Sequence, residues 1–348
     1  MSNPSILIWG AGAIGGTLGA YWARAGLPVT MVDIDASHAD ACHRTGLSIT
    51  GPVERFRQQI PTYTPQTIHG TFDIIVLAVK AQATTAALLM LVPHLAEQAY
   101  VLSAQNGLNE IAIADALGTE RCMGCFVNFG ADWQAPGEIL FGNRGAVVVG
   151  EIDGSIRPRT RAMHDMLRLF EPDAVLTDNI WGYLWGKLAY GAMLFATALT
   201  ADSMTHNFKD SRRFVVFDRL AREVMAVARA RNVKPIGFNG FDPDCFMPGG
   251  SNSEARNTIA SLAEFNSKTA KTHSGIYRDL AVRKRQTEVD PQIGIISLLG
   301  DQAGVATPAL KHLVALIHDL EEGRKPMDFS TFALLIDTCE TARHADPL

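Results

Sequence analysis

The chain has 348 residues, 47% hydrophobic and 19% charged, which is about twice a typical single-domain length and suits two packed cores. This composition excludes a disordered chain, a collagen-like repeat and a coiled-coil rod. Its 31 Lys and Arg against 36 Asp and Glu leave a net charge of −5, so there is no general attraction for nucleic acid or an anionic membrane.

Residues 6–9 form a short apolar run, too brief for a helix and typical of a buried parallel strand. Gly10, Gly12 and Gly15 follow at once, and helical periodicity then runs through Leu18, Tyr21, Trp22 and Ala25 until Gly26 and Pro28 stop it. Residues 29–32 predict a second strand ending at Asp33, and residues 72–79 a buried strand ending at Lys80. Residues 83–98 read as helical, and residues 100–103 as a strand leading into Gln105, Asn106 and Gly107. Such alternation predicts right-handed βαβ units in a doubly wound parallel sheet. From Cys125 the rhythm changes. Residues 125–129, 138–141 and 146–149 predict strands joined by turns at Pro136-Gly137 and Gly142-Asn143, an antiparallel extension of the sheet.

After the Pro172-Asp173 turn and residues 174–176, helical periodicity dominates to the end. The boundary therefore falls near residue 178, with an α/β domain over 1–178 and an all-helical domain over 179–348. Residues 180–201 are long enough to cross a bilayer, but they carry Lys187 and three glycines, so a buried helix of the second domain is expected. Residues 234–253 form a long turn-rich loop, a kind of segment that is often functional. The five scattered cysteines, with no signal-like start over residues 1–5, read as free thiols in the cytoplasm. Cys122 and Cys125 lack a second pair or a histidine cluster, so both read as core thiols and no metal is expected.

Two features carry chemistry. The Gly10-x-Gly12-x-x-Gly15 pattern follows a strand and opens a helix, and Asp33 lies 23 residues after Gly10 at the end of the second strand. That context marks a dinucleotide-binding turn: one glycine for the tight turn, one for close approach of pyrophosphate, one for helix–strand packing. The second feature is Lys187, the one charge in a 22-residue apolar stretch. Burial lowers a lysine's pKa, which is how a lysine becomes a usable proton donor near neutral pH. The run Arg283-Lys284-Arg285 reads as a solvated face.

In order along the chain stand Gly10 to Gly15, Ala78-Val-Lys80-Ala, Gln105-Asn106-Gly107, Pro136-Gly137 leading to Gly145 and Gly150, Trp185-Gly-Lys187-Leu-Ala, and Arg285-Gln-Thr-Glu288-Val-Asp290. Over nearly its whole length this set resembles the ketopantoate reductase family (2-dehydropantoate 2-reductases) of the 6-phosphogluconate-dehydrogenase-like superfamily. The resemblance implies a Rossmann-type domain followed by an all-helical one, with the active site in the cleft between them. It implies NADPH-dependent reduction of a 2-keto acid to a 2-hydroxy acid. The other readings are a dehydrogenase of another hydroxy acid or imine on the same scaffold, and a catalytically silent dinucleotide sensor, which would need neither Lys187 nor Glu288. No nucleic acid or membrane partner is expected, and a homodimer is allowed for.

Residue by residue, the resemblance assigns Gly10, Gly12, Ala13, Ile14 and Gly15 to the dinucleotide and places Lys80 and Asn106 at strand ends toward nicotinamide and substrate. It makes Lys187 the acid that protonates the ketone oxygen, and Glu288 the carboxylate that positions the lysine and the substrate hydroxyl. Ser274 matches a serine that contacts the substrate carboxylate, although one extra residue before Asp279 leaves His273 and Gly275 as alternatives. Ser274 precedes Glu288 by 14 residues. That is about 21 Å along an unbroken helix, so the helix must break near residues 284–287 if both serve one site. Glu288 also precedes Asp290-Pro291, which reads as a helix start.

The chain departs from the family at two places. Gly191 and Phe195 stand where asparagines are usual, which predicts a pocket suited to something other than ketopantoate. Asp33 and Asp35 stand where a basic residue usually meets the 2′-phosphate. They favour NAD(H), with NADP(H) the alternative that the family suggests.

Overall fold

Ile6–Trp9 (β1) is apolar throughout because it feeds two cores. Ile6 and Ile8 pack into one hydrophobic cluster, while Leu7 and Trp9 pack into another. A parallel strand covered on both faces needs that composition. In this computed structural model, which describes residues 3–238, 240–268 and 272–345, the chain divides into two units, Met1–Ile180 and Trp181–Leu348.

In the first unit, β1 leads into α1 (Ala13–Arg24), β2 (Val29–Val32), α2 (Ala36–Thr45), β3 (Leu47–Thr50), β4 (Phe56–Gln58) and β5 (Thr62–Tyr63). Then come β6 (Phe72–Leu77), α3 (Thr84–Leu91), β7 (Leu95–Ser103), α4 (Asn109–Leu117) and β8 (Cys122–Val127). The unit ends with β9 (Gly130–Ala135), β10 (Glu138–Asn143), β11 (Val147–Glu151), α5 (Pro158–Arg168) and β12 (Val175–Leu176). The large sheet has the order β12-β11-β8-β7-β6-β1-β2-β5. Strands β5 to β8 with β1 and β2 are parallel, and β11 runs antiparallel to β8. The chain leaves β1 toward β2 and later returns as β6 on the other side of β1. That reversal is a topological switch point.

The antiparallel extension of this sheet is β11. The strand expected over 138–141 lies elsewhere, as β10 of a second sheet of order β4-β3-β10-β9. Its pairing decides this: β10 runs parallel to β3 and antiparallel to β9, with Ile139 and Phe141 fully buried on its one covered face. Phe141 meets the Tyr21 ring of α1 edge-on at 6.0 Å. The helix expected over 83–98 also ends early, at Leu91, since Pro93 follows in a short 3₁₀ turn and β7 already begins at Leu95.

The second unit is helical: α6 (Ile180–Thr197), α7 (Met204–Lys209), α8 (Phe214–Ala230), α9 (Asn252–Ser267), α10 (Gly275–Tyr277), α11 (Ile295–Ala303), α12 (Pro308–Glu321) and α13 (Phe329–Ala345). Among the described residues no helix is long and apolar enough to cross a membrane. Thr307 before α12 provides no side-chain cap. Glu223 of α8, fully buried, caps α12 instead: its carboxylate accepts the amides of Ala309 at 3.1 Å and Leu310 at 2.9 Å and pairs with Arg219 at 2.8 Å.

The turn-rich segment 234–253 is packed rather than loose (Asn239 lies outside the described residues). Phe238, Phe241 and Phe246 are buried, and the first two rings lie 6.0 and 6.1 Å from that of Tyr190 on α6.

Candidate active site

Register places the first unit's candidate residues on one rim. Trp9 of β1 is level with Val32 of β2 and with Leu77 of β6, which is itself level with Ser103 of β7. Gly10, Asp33, Ala78 and Ala104 are the next residues, so the turns carrying Gly12, Lys80 and Asn106 all leave the same carboxyl edge. Ligands of open α/β sheets bind at that edge.

The three glycines have three different reasons to be glycine. Gly10 has φ +103°, and a Cβ there would lie 2.9 Å from the Ala78 carbonyl carbon and the Val79 amide nitrogen. At Gly15 a Cβ would come within 2.9 Å of Ala78 Cβ and 2.7 Å of Ile8 Cγ2, so helix and strand pack too closely for any side chain. At Gly12 a Cβ would meet nothing within 4 Å. Gly12 is the N-cap of α1 and supplies no side-chain cap, and Ala13 and Ile14 open the helix. A free helix N-terminus with space before it binds phosphate. The turn therefore fits the pyrophosphate of a dinucleotide.

Asp33 ends β2, and its Oδ1 accepts the Asp35 amide at 3.0 Å, an Asx turn that fixes the carboxylate's direction. Asp35 in turn caps α2 through the amides of Ser37 and His38. Those bonds, the Ser37 side chain first, hold the Asp35 carboxyl below its ordinary range.

Lys80 and Asn106 are exposed at their turns, and a buried polar network ties the two turns together. Gln105 donates from Nε2 to the Val79 carbonyl at 2.9 Å and to Thr84 Oγ1 at 2.8 Å. Thr84 donates to Asn109 Oδ1 at 2.8 Å, and Asn109 donates to the Asn106 carbonyl at 2.7 Å. The sequence gives Gln105 no role of its own and does not mark Thr84 or Asn109. Nothing in their spacing marks them, since they meet only through the turns of β6 and β7.

In the second unit Lys187 is half-buried on α6, on a face that also presents Tyr183, Tyr190, Gly191 and Leu194. A Cβ on Gly191 would meet nothing within 4 Å. Phe195 is fully buried, so the residue one turn beyond Gly191 belongs to the core and not to this face. Ser274 is 2% exposed and caps α10, its Oγ accepting the Tyr277 amide at 3.2 Å, which leaves the hydroxyl proton to donate. Of its neighbours, half-buried His273 stacks on Tyr277 with ring centroids 4.2 Å apart, and Gly275 opens the helix.

The chain does break between Ser274 and Glu288. The helical residues end at Val282, and Lys284 has φ +48°. Arg283 and Arg285 both bond Asp279 Oδ1, at 3.1 and 3.0 Å. Glu288 is 8% exposed and stands just before the turn Asp290–Gly294, which carries Pro291 in its first turn. The segment is pinned to α12: Glu321 accepts the amide and hydroxyl of Thr287 at 2.7 and 2.8 Å, and His318 bridges Glu321 and Asp290. Burial pulls the His318 imidazolium down, but its bonds to Glu321 and Asp290 outweigh that and raise its pKa. Cys122 and Cys125 are fully buried in β8, and burial pushes the Cys122 thiol strongly up.

A dinucleotide-type α/β unit joined to a helical unit defines the class, and comparison with known proteins defines the family. Residues 6–154 match the ketopantoate reductase PanE/ApbA family model and residues 179–321 its C-terminal counterpart, so the chain belongs to the ketopantoate reductase family. It is 25% identical over 341 residues to the 2-dehydropantoate 2-reductase of Mesorhizobium japonicum, spanning 90% of this chain and 97% of that one. Among solved structures it resembles a PanE/ApbA family ketopantoate reductase from Ralstonia eutropha, with TM-score 0.76 and 26% identity over 92% of this chain and 99% of that one. It also shares the fold of D-mandelate dehydrogenase, solved with NADH and anilino(oxo)acetate, with TM-score 0.80 and 23% identity over 92% of this chain and 99% of that one.

Proposed function

We propose that the chain is a nicotinamide-dependent reductase of 2-keto acids, with residues 1–178 holding the dinucleotide and residues 179–348 providing substrate contacts and the proton. The reading is carried by Lys187, half-buried on α6 beside the open space at Gly191, in a chain of this family. A reduced nicotinamide, when bound, supplies hydride to the carbonyl carbon. Lys187 supplies the proton to the carbonyl oxygen, which leaves the product a neutral alcohol. Glu288 steadies the ammonium and the developing hydroxyl, and a carboxylate there offsets the cost of desolvating the lysine. Ser274 donates its hydroxyl proton to the substrate carboxylate, Lys80 and Asn106 stand at the carboxyl edge of the sheet on the nicotinamide side, and the turn from Gly10 to Gly15 holds the pyrophosphate.

The substrate is a 2-keto acid with a bulky apolar side chain. Gly191 and Leu194 on the Lys187 face provide no amide for a substrate hydroxyl, and a site without such partners loses its preference for the hydroxylated acid. The D-mandelate dehydrogenase neighbour, solved with anilino(oxo)acetate, supports the same direction. Phenyl-substituted and branched 2-keto acids are expected to exceed ketopantoate by about tenfold or more in kcat/KM. A higher value for ketopantoate overturns the pocket reading, and no cofactor oxidation with any 2-keto acid overturns the reductase.

NAD(H) is the proposed cofactor. The Asp33 carboxylate, held at the end of β2 by the Asp35 amide, accepts bonds from both ribose hydroxyls and repels a 2′-phosphate. Repulsion at a partly buried site is worth about 1.4 kcal/mol or more, a tenfold preference. Titrations followed by tryptophan fluorescence should show tighter NADH than NADPH binding and a narrowed gap in Asp33→Ala. Tighter NADPH binding, unchanged by that substitution, would falsify the assignment.

A further inference from the structure

His38 lies on α2, outside every motif of the family resemblance, and is 1% exposed. Its ring is nevertheless fully engaged. Nδ1 faces two N–H groups, the Trp133 indole at 3.1 Å and the Gly137 amide at 3.0 Å. Neither of those nitrogens accepts a hydrogen bond, so Nδ1 must be the acceptor and carries no proton. The ring proton is therefore on Nε2, which lies 2.9 Å from the Ala11 carbonyl oxygen and donates to it. Cys42 Sγ also faces Nε2, at 3.6 Å, with its thiol pushed up to about 12 by burial and by Asp33. The second sheet thus sets the tautomer from one side of the ring, and the other side grips the glycine-rich turn.

The grip has a directional consequence. The Ala11–Gly12 peptide is trans, and in a trans peptide the carbonyl and the following N–H point in opposite directions. Holding the Ala11 carbonyl toward His38 therefore aims the Gly12 amide away from α2. Gly12 is the N-cap of α1 and the position at which a Cβ would meet only open space. We propose that His38 is a positioning residue for the dinucleotide: through the Ala11 carbonyl it fixes in advance the orientation of the Gly12 amide that meets the pyrophosphate. Pre-organised donors bind an anion without reordering on contact. The proposal rests on the dinucleotide reading of the turn.

Two substitutions separate the halves of the ring. His38→Gln places an amide near the Nε2 position and can still donate to Ala11. His38→Asn places its amide near the Nδ1 position, so it can still accept from Trp133 and Gly137 while losing the bond to the turn. Kd for NADH and NADPH, KM for the keto acid, kcat and thermal midpoint are measured for each variant and for wild type. His38→Asn is expected to weaken the dinucleotide by about tenfold, as the loss of one well-placed bond to a charged group does. The keto-acid KM and kcat at saturating cofactor should stay within about threefold of wild type. His38→Gln is expected to recover most of the dinucleotide affinity, whatever its melting temperature. Equal losses in the two variants, or losses that follow the thermal midpoint, overturn the positioning role and leave His38 a core residue. A wild-type chain that binds neither dinucleotide overturns the underlying reading as well.

Discussion

Lys187→Ala is expected to lower kcat by about 10² or more, because a positioned general acid contributes about 10² to 10⁴. The dinucleotide Kd should stay within about threefold, since the residues proposed to hold the dinucleotide all lie in the other unit. The substitution is also mild for the helix: alanine is the best helix former, and Lys187 is only half-buried on α6. Lys187→Arg is the stricter test. It keeps the charge and much of the stem, but a guanidinium does not give up its proton in the working pH range. If charge alone mattered, arginine would restore turnover; if proton donation matters, arginine should be nearly as slow as alanine. Turnover of the alanine variant within about threefold of wild type would remove Lys187 from its assigned role.

The second large effect concerns stability. Glu223→Ala is expected to destabilise the second unit by about 3–5 kcal/mol, the range for breaking a buried ion pair by removing one partner. The carboxylate serves three groups at once, the Arg219 guanidinium and the amides of Ala309 and Leu310. Its loss leaves the start of α12 without its cap in a place water does not reach. Glu223→Gln keeps an acceptor for one amide but forfeits the ionic bond, so it should fall between alanine and wild type. Urea unfolding followed by tryptophan fluorescence gives the numbers. A shift below about 1 kcal/mol for alanine would mean that α12 starts equally well without Glu223.

Local chemistry carried most of what the residue order reveals. The β1–α1 turn was legible because each glycine answers a steric demand within a few residues of itself or on the adjacent strand. The chain break after Val282 was legible as a distance argument: two residues too far apart on a rod cannot share a small ligand. What stayed hidden depends on partners distant in the chain. The strand at β10 alternates identically whether it joins the large sheet or a second one, and only its pairing with β3 decides. Phe195 shows the same limit, since its spacing from Lys187 fits the exposed face while packing places it inside. His38, Thr84 and Asn109 carry no signature at all, because a buried bridge is defined by what it joins.

The segment 234–253 has the length of a cover and the construction of a stopper. Phe238 and Phe241 are sunk beside Tyr190, on the helix that also carries Lys187, and Phe246 stacks on Phe241. Its opening would expose several aromatic rings to water, a cost of about 1.5–3 kcal/mol for each ring laid bare. Variation here cannot be read as the free exchange of a surface loop. Any relative that trims or rewrites this stretch must fill the same ring-shaped volume or shift α6, and with it the lysine. The packing of this segment and the placement of α6 are thereby yoked, and a change in one will show up in the other.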